Sequence, residues 1–131
     1  MFMATTTILT VHPIAELGAA QTVKQAIDYV KNPDKTEGGI LISAYGCDPD
    51  VVTEDFMLTR DEYRLKTGRE QGANEILVYH VRQSFLPGEA DVETVQRLGY
   101  ELAMELTKGD FSFIVCTHID PILHTSFLSA R

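Results

Sequence analysis

The stretches "NEILVYHVRQSF" (residues 74–85) and "FSFIVCTHID" (residues 111–120) decide the fold of this chain. Both are rich in β-branched and aromatic residues and have turn-forming residues nearby, so each is predicted to be a strand. The segment between them is predicted to be an amphipathic helix that starts at an Asp91 N-cap and ends before Gly109. Its apolar stripe consists of Val92, Val95, Leu98, Gly99, Leu102, Ala103 and Leu106.

The preceding half of the chain repeats the order of strand, helix and strand. "TTTILTV" (residues 5–11) is a β-branched run that ends before Pro13, and "GGILISAYG" (residues 38–46) is a second strand between glycines. Between them, Val23, Ala26, Ile27 and Val30 have helical spacing and predict a helix over residues 21–32. Residues 51–68 are predicted to form two short helices, because a capping-box pattern begins at Thr59 and Gly68 closes the segment.

This order of elements predicts an α+β fold. We expect a split βαβ, ferredoxin-like antiparallel sheet with the helices packed on one face. A length of 131 residues with 44% hydrophobic content fits one domain over residues 1–131. The tail, residues 121–131, is predicted to be atypical, because Pro121 interrupts the preceding strand and nothing periodic follows.

The charge of the chain bears on whether it binds nucleic acid. A net charge of −8 opposes non-specific attraction to a polyanion, so any binding of nucleic acid must be local. A mixed run of charges holds Arg60, Arg64, Lys66 and Arg69, and it is either a solvated helix face or a DNA footprint.

Two further features bear on location and on redox chemistry. No apolar run reaches about 18 residues and the first basic residue is Lys24, so neither a membrane span nor a signal peptide is predicted, and a cytoplasmic protein is expected. Cys47 and Cys116 are far apart in the sequence and are expected to be reduced, buried thiols.

Three segments carry a family resemblance: "AIDYVKNPDKT" (residues 26–36), "YHVRQSFLPGEAD" (residues 79–91) and "CTHID" (residues 116–120). In this order they resemble the relaxases, or mobilisation nucleases, of conjugative plasmids and transposons, which belong to the HUH-type endonucleases that nick single-stranded DNA. The resemblance runs from Thr5 to Asp120. It implies a relaxase-like fold and a tyrosine that cuts one DNA strand at a transfer origin, with a divalent metal (Mg or Mn) as cofactor.

The resemblance also implies roles for particular residues. Tyr29 matches the family's nucleophile, His118 its first metal-ligand histidine, and Asp120 the acidic neighbour of that histidine in the catalytic site. His80, Arg82, Ser84 and Lys35 match positions expected to lie near the DNA. The residues alone favour a structural role for each: Tyr29 as a boundary residue that shields the core, and His118 with Asp120 as a hydrogen-bonded pair at a strand end.

The sequence departs from the family after Asp120. The family continues with a His-x-His pair on a further strand, whereas Thr125 and Phe127 stand about where that pair is expected. His124, between Leu123 and Thr125, is predicted to be an exposed tail residue.

We therefore expect a domain without its last strand, shortened by truncation or by a change of reading frame. Its metal site would be incomplete and its nicking weak or absent, with a makeshift site in which His80 and His12 join His118 as the alternative. A non-catalytic remnant that self-associates as a homodimer through an uncovered sheet edge, or that binds a partner protein, is a second hypothesis. A generic ferredoxin-like ligand-binding domain is a third.

Overall fold

A computed structural model describes residues 5–32, 34, 36, 41–68, 75–86, 88–119 and 123–130. Three helices and one five-stranded sheet make up this part of the chain. In chain order the elements are β1 (Thr5–Val11), α1 (Gly18–Lys31), β2 (Ile42–Tyr45), α2 (Val52–Thr67), β3 (Val78–Ser84), α3 (Val92–Thr107), β4 (Phe113–His118) and β5 (His124–Ala130).

The sheet has the strand order β1-β3-β5-β4-β2, and every neighbouring pair is antiparallel. The directions alternate across the sheet, so β3 and β4 run parallel to each other with β5 between them. Since α3 connects β3 to β4, these elements form the predicted split βαβ unit. The predicted α+β class with an antiparallel sheet is confirmed.

The helices lie on both faces of the sheet, so the prediction of helices on one face is wrong. On one face, α1 and α2 pack against side chains such as Ile114, Cys116 and Leu128. On the opposite face, α3 packs against Val115 and Phe127. The topology explains this: β1 and β3 run in opposite directions, and both cross over toward the β2 edge. Two such crossovers of the same hand place their helices on opposite faces.

The tail forms a strand, which corrects the expectation that the last strand is missing. β5 is hydrogen-bonded to β3 on one side and to β4 on the other, and all seven of its residues are buried. A strand paired on both sides satisfies its backbone N–H and C=O groups along its whole length. β5 is also the central strand of the sheet. The uncovered edge that was predicted from a missing last strand is therefore not formed.

Two local predictions for the helices have different outcomes. Asp91 caps α3 as predicted, since its side chain accepts a 2.7 Å hydrogen bond from the backbone N–H of Thr94. Residues 52–67 form one continuous helix, α2, where two short ones were predicted. Thr59 lies inside it, and its hydroxyl donates to the carbonyl of Asp55 one turn earlier, so this residue does not act as a cap.

Candidate active site

The hairpin between β4 and β5 brings two histidines together. His118 and His124 are directly opposite each other in the antiparallel register, so their side chains project from the same face of the sheet. Their ring centroids are 4.7 Å apart, and only 2% and 4% of the two residues is exposed. The prediction that His124 is an exposed tail residue is therefore wrong, because the strand that buries it was not foreseen.

A hydrogen bond to the end of α1 fixes which ring nitrogen of His118 carries the proton. Its Nε2 lies 2.7 Å from the backbone oxygen of Val30, and a carbonyl can only accept, so Nε2 carries the proton. In the neutral ring the lone pair is then on Nδ1. A histidine that donates one ring N–H to a backbone carbonyl has the second-sphere arrangement common among metal-binding histidines.

Tyr29 lies beside this pair on the last turn of α1. The tyrosine and His118 rings are 6.3 Å apart, centroid to centroid, and tilted at 59°. Tyr29 is 63% exposed, as its phase relative to the apolar stripe of the helix predicts. An exposed phenol, which a substrate can reach, therefore lies next to a buried imidazole pair.

The strand register shows what surrounds the pair. On the row of the two histidines, Ser84 of β3 lies opposite His124. On the next row, Arg82 lies opposite Ser126, and Ser126 lies opposite Cys116. Directly opposite residues of antiparallel strands share a face, so these side chains are on the α1 side of the sheet with His118. Arg82 and Ser84, two of the predicted DNA-contacting residues, are therefore placed in line with the histidine pair.

His80 is on the same face but farther along β3. It lies opposite Leu128, which lies opposite Ile114, so two rows separate it from Ser84 and the histidine pair. Burial lowers the pKa of His80, and the charges of Arg82 and His118 lower it further. Its buried Nε2 has no hydrogen-bond partner among the described residues.

The makeshift metal site from His80 and His12 is not formed. The strands of His80 and His118 are not neighbours, because β5 separates them. His12 contacts the hydroxyl of Thr10 and the backbone oxygen of Glu75 instead, at 2.9 and 3.0 Å. Two other predicted site residues, Asp120 and Lys35, lie outside the described residues.

The two positions expected for a His-x-His pair lie on the face of the sheet opposite His118. Thr125 and Phe127 face α3, where Thr125 lies against Gly99 and Phe127 packs near Phe113. The neighbouring residues His124 and Ser126 face Tyr29's side of the sheet. On the site face, β5 thus presents one histidine, His124, followed two residues later by a serine, Ser126.

The side chains of the hairpin fit a divalent metal only in part. A catalytic metal centre generally has about three protein ligands. The hairpin supplies two imidazoles, and within the described ranges no cluster of three or more His, Cys, Asp or Glu side chains has metal-binding geometry. These residues therefore provide part of a metal site and not a full set of ligands.

The basic run of α2 has a structural component. Arg60 makes a bidentate ion pair with Glu75, with Nε to Oε2 at 2.7 Å and Nη2 to Oε1 at 2.9 Å. This pair is partly buried and connects α2 to the segment that leads into β3. Arg60 is therefore engaged in a structural contact, and Arg69 lies outside the described residues.

The cysteines are two free thiols. Burial raises the pKa of Cys116 to about 12 and that of Cys47 to about 11. A high thiol pKa means little thiolate at neutral pH and therefore low reactivity. Cys116 is buried as expected, whereas Cys47 is partly exposed.

These features define an α+β domain in which a helix-borne, exposed tyrosine lies beside histidines at one end of an antiparallel sheet. The family model described as "Relaxase: MobA/VirD2-like, nuclease domain" matches residues 29–125, and the chain belongs to this family. The matched segment includes Tyr29, the histidine pair, Arg82 and Ser84.

Individual relatives agree with this assignment. The chain is 28% identical over 112 residues to the group II intron-interrupted relaxase LtrB of Lactococcus lactis subsp. cremoris (strain MG1363), an alignment that covers 70% of this chain and 20% of LtrB. It is 30% and 32% identical over 105 residues to two proteins named rlx from Staphylococcus aureus, covering 80% of this chain and 29% of each relative. The chain thus spans less than a third of the length of these curated relatives.

Within the described ranges, none of the three helices combines the length and the apolar character needed to cross a bilayer.

Proposed function

We propose that this domain carries the DNA-strand-nicking chemistry of a relaxase in weakened form, with Tyr29 as the nucleophile. The observation that carries the proposal is the position of Tyr29: an exposed phenol whose ring centroid is 6.3 Å from that of the buried His118. Positioning of the nucleophile and electrostatic stabilisation dominate phosphoryl transfer, so a tyrosine in this place suits attack on a phosphodiester.

In the proposed step the Tyr29 oxygen forms a bond to phosphorus, and the bond from phosphorus to the 3′ oxygen breaks. The tyrosine is then joined to the 5′ end of the DNA. The phenolic proton passes to solvent, and the departing 3′ oxygen takes up a proton to become a free hydroxyl. The substrate is single-stranded DNA at a transfer origin, and Arg82, Ser84 and His80 line the approach on β3, with Lys35 and Asp120 as further candidates.

A divalent cation, when bound, would neutralise charge on the non-bridging phosphate oxygens. His118 and His124 are the residues that would hold it. His118 is suited to this by the bond from its Nε2 to Val30, which leaves Nδ1 as the lone-pair nitrogen. With Ser126 at the third position, we expect weak metal binding and slow or absent nicking.

The experiment uses single-stranded oligonucleotides that tile the DNA upstream of the gene and are labelled at the 3′ end, incubated with the protein and Mn²⁺ or Mg²⁺. Because the tyrosine takes the 5′ end of the cleaved strand, the label should migrate with the protein on a denaturing gel. Tyr29→Phe should abolish this adduct. Tyr63→Phe is the matched control, because Tyr63 is also partly exposed but lies on α2. An adduct that survives Tyr29→Phe would refute the assignment of the nucleophile.

A second candidate function is a non-catalytic relaxase remnant that acts through protein contacts. The incomplete ligand set at the histidine pair favours it. The absence of any adduct, together with unchanged oligonucleotide binding in Arg82→Ala, would support this candidate over the first.

A further inference from the structure

We propose that β1 is a homodimer edge, on which the β1 strand of a second copy pairs antiparallel to extend the sheet across both molecules. Among the described residues, β1 is hydrogen-bonded to β3 on one side only and forms the outer strand of the sheet. Six of its seven residues are exposed. This surface is separate from the tyrosine and histidine site, so the proposal does not depend on DNA nicking.

The backbone of β1 determines the chemistry of the partner. An edge strand presents a row of unpaired N–H and C=O groups, and an extended strand is the structure that satisfies such a row. β1 pairs with β3 over its entire length in one uninterrupted register, from Thr5 opposite Ser84 to Val11 opposite Val78. It has no bulge to twist the edge away. The opposite edge of the sheet, β2, has four residues and all are half-buried, so it is the poorer template.

The side chains of β1 lack the features that normally block edge pairing. The sequence "TTTILTV" contains no charged residue and no proline, the two devices that most often protect an edge. Ile8 and Leu9 are 62% and 50% exposed and point to opposite faces, so both sides of the edge are apolar at its centre. Ile8 also borders an apolar groove of about 200 Å³ that includes Leu106 and Phe111.

The residue pattern of β1 favours a second copy as the partner. The net charge of −8 opposes contact between two copies in general, but β1 is uncharged and does not add to that repulsion. The pattern of β1 is self-complementary. A two-fold axis at Ile8 places each Ile8 beside its counterpart, each Thr6 opposite the partner's Thr10, and each Thr7 opposite the partner's Leu9. Cross-strand aliphatic and Thr–Thr pairs of this kind stabilise antiparallel sheets.

The size of the edge sets the expected affinity. A standard protein interface involves about 20–30 residues on each side. β1 contributes seven residues, with the groove beside Ile8 as an addition. The dimer should therefore be weak, with a dissociation constant of roughly 10 μM to 1 mM.

Sedimentation velocity of the full chain, over a concentration series that brackets this range, tests the proposal. The wild type should shift from monomer to dimer as the concentration rises. Ile8→Lys, which places like charges opposite each other at the two-fold axis, should remain monomeric. Leu65→Lys is the matched control, since Leu65 is 86% exposed on α2, and it should dimerise as the wild type does. Far-ultraviolet circular dichroism checks that both variants are folded.

A second variant keeps the test decisive if Ile8→Lys is poorly folded. In Ile8→Cys, two introduced thiols face each other across the two-fold axis, and mild oxidation should give a disulfide-linked dimer faster than in Leu65→Cys. A wild type that stays monomeric throughout the concentration series would overturn the proposal. A dimer that forms equally well in Ile8→Lys, or that crosslinks no faster through Ile8→Cys than through Leu65→Cys, would also overturn it.

Discussion

Replacing Ser126 with histidine should complete the metal site that the structure leaves partial. Ser126 follows His124 by two residues on β5, and its side chain lies on the same face as His118. Ser126→His therefore adds a third imidazole to the two present. Three protein ligands are the usual number for a catalytic metal centre, and two imidazoles alone bind divalent ions weakly.

The magnitude follows from binding linkage. A ligand that binds only the folded state stabilises it by RT ln(1 + [L]/Kd). For the wild type, a millimolar Kd gives about 0.4 kcal/mol when the free ion concentration equals Kd. If three imidazoles bring Kd to about 1 μM, 1 mM metal stabilises the variant by about 4 kcal/mol. Ser126 is buried, so the larger ring should cost about 1–3 kcal/mol without metal.

Thermal melting in EDTA and in Mn²⁺ or Ni²⁺ measures these terms. For a domain of this size about 1 kcal/mol corresponds to roughly 3–5 °C, so the melting temperature of Ser126→His should rise by roughly 12–20 °C on adding 1 mM metal. The wild type should change by only about 1–2 °C. Adding His118→Ala or His124→Ala to Ser126→His should remove the gain, whereas His80→Ala, two rows away, should keep it.

Two results would refute this reasoning. A wild type stabilised by many degrees at micromolar metal would mean that the chain already holds a complete site. A folded Ser126→His variant without a metal-dependent rise would mean that positions 118, 124 and 126 do not converge on one ion.

Three further predictions concern stability. Gly99→Ala should destabilise the fold by about 1–3 kcal/mol in urea denaturation, because a Cβ there would lie 2.5 Å from the Thr125 hydroxyl; Thr125→Ala should restore part of the loss, and additive effects would argue against the clash. Arg60→Ala should cost about 2–3 kcal/mol, since it leaves the buried carboxylate of Glu75 without its bidentate partner, and a loss under about 0.5 kcal/mol would contradict this. His80 has a lowered pKa in the folded state, so the unfolded chain binds more protons below about pH 6.5, and the free energy of unfolding should decrease as the pH is lowered. His80→Gln should reduce this pH dependence, and an unchanged dependence would exclude His80 as its source.

Much of the fold was predictable because its causes are local. α3 carries a continuous apolar stripe and an Asp91 cap, and both act within a few residues of the chain. The exposure of Tyr29 follows from its angular position on α1 in the same way. The α+β class and the split βαβ order follow from the succession of strands and helices.

Only the tertiary structure shows that β5 forms and which side chains it brings into the candidate site. A strand that follows Pro121 and lacks a clear alternation has little signal of its own, and it forms because β3 and β4 offer hydrogen-bonding partners on both sides. That pairing buries His124 against His118 and turns Ser126, not Thr125, toward the site. The side-chain period of a strand is two residues, so a shift of one residue exchanges the two faces. The family resemblance made Tyr29 and His118 candidates for the site, but pairing across strands far apart in the chain determined which residues stand beside them.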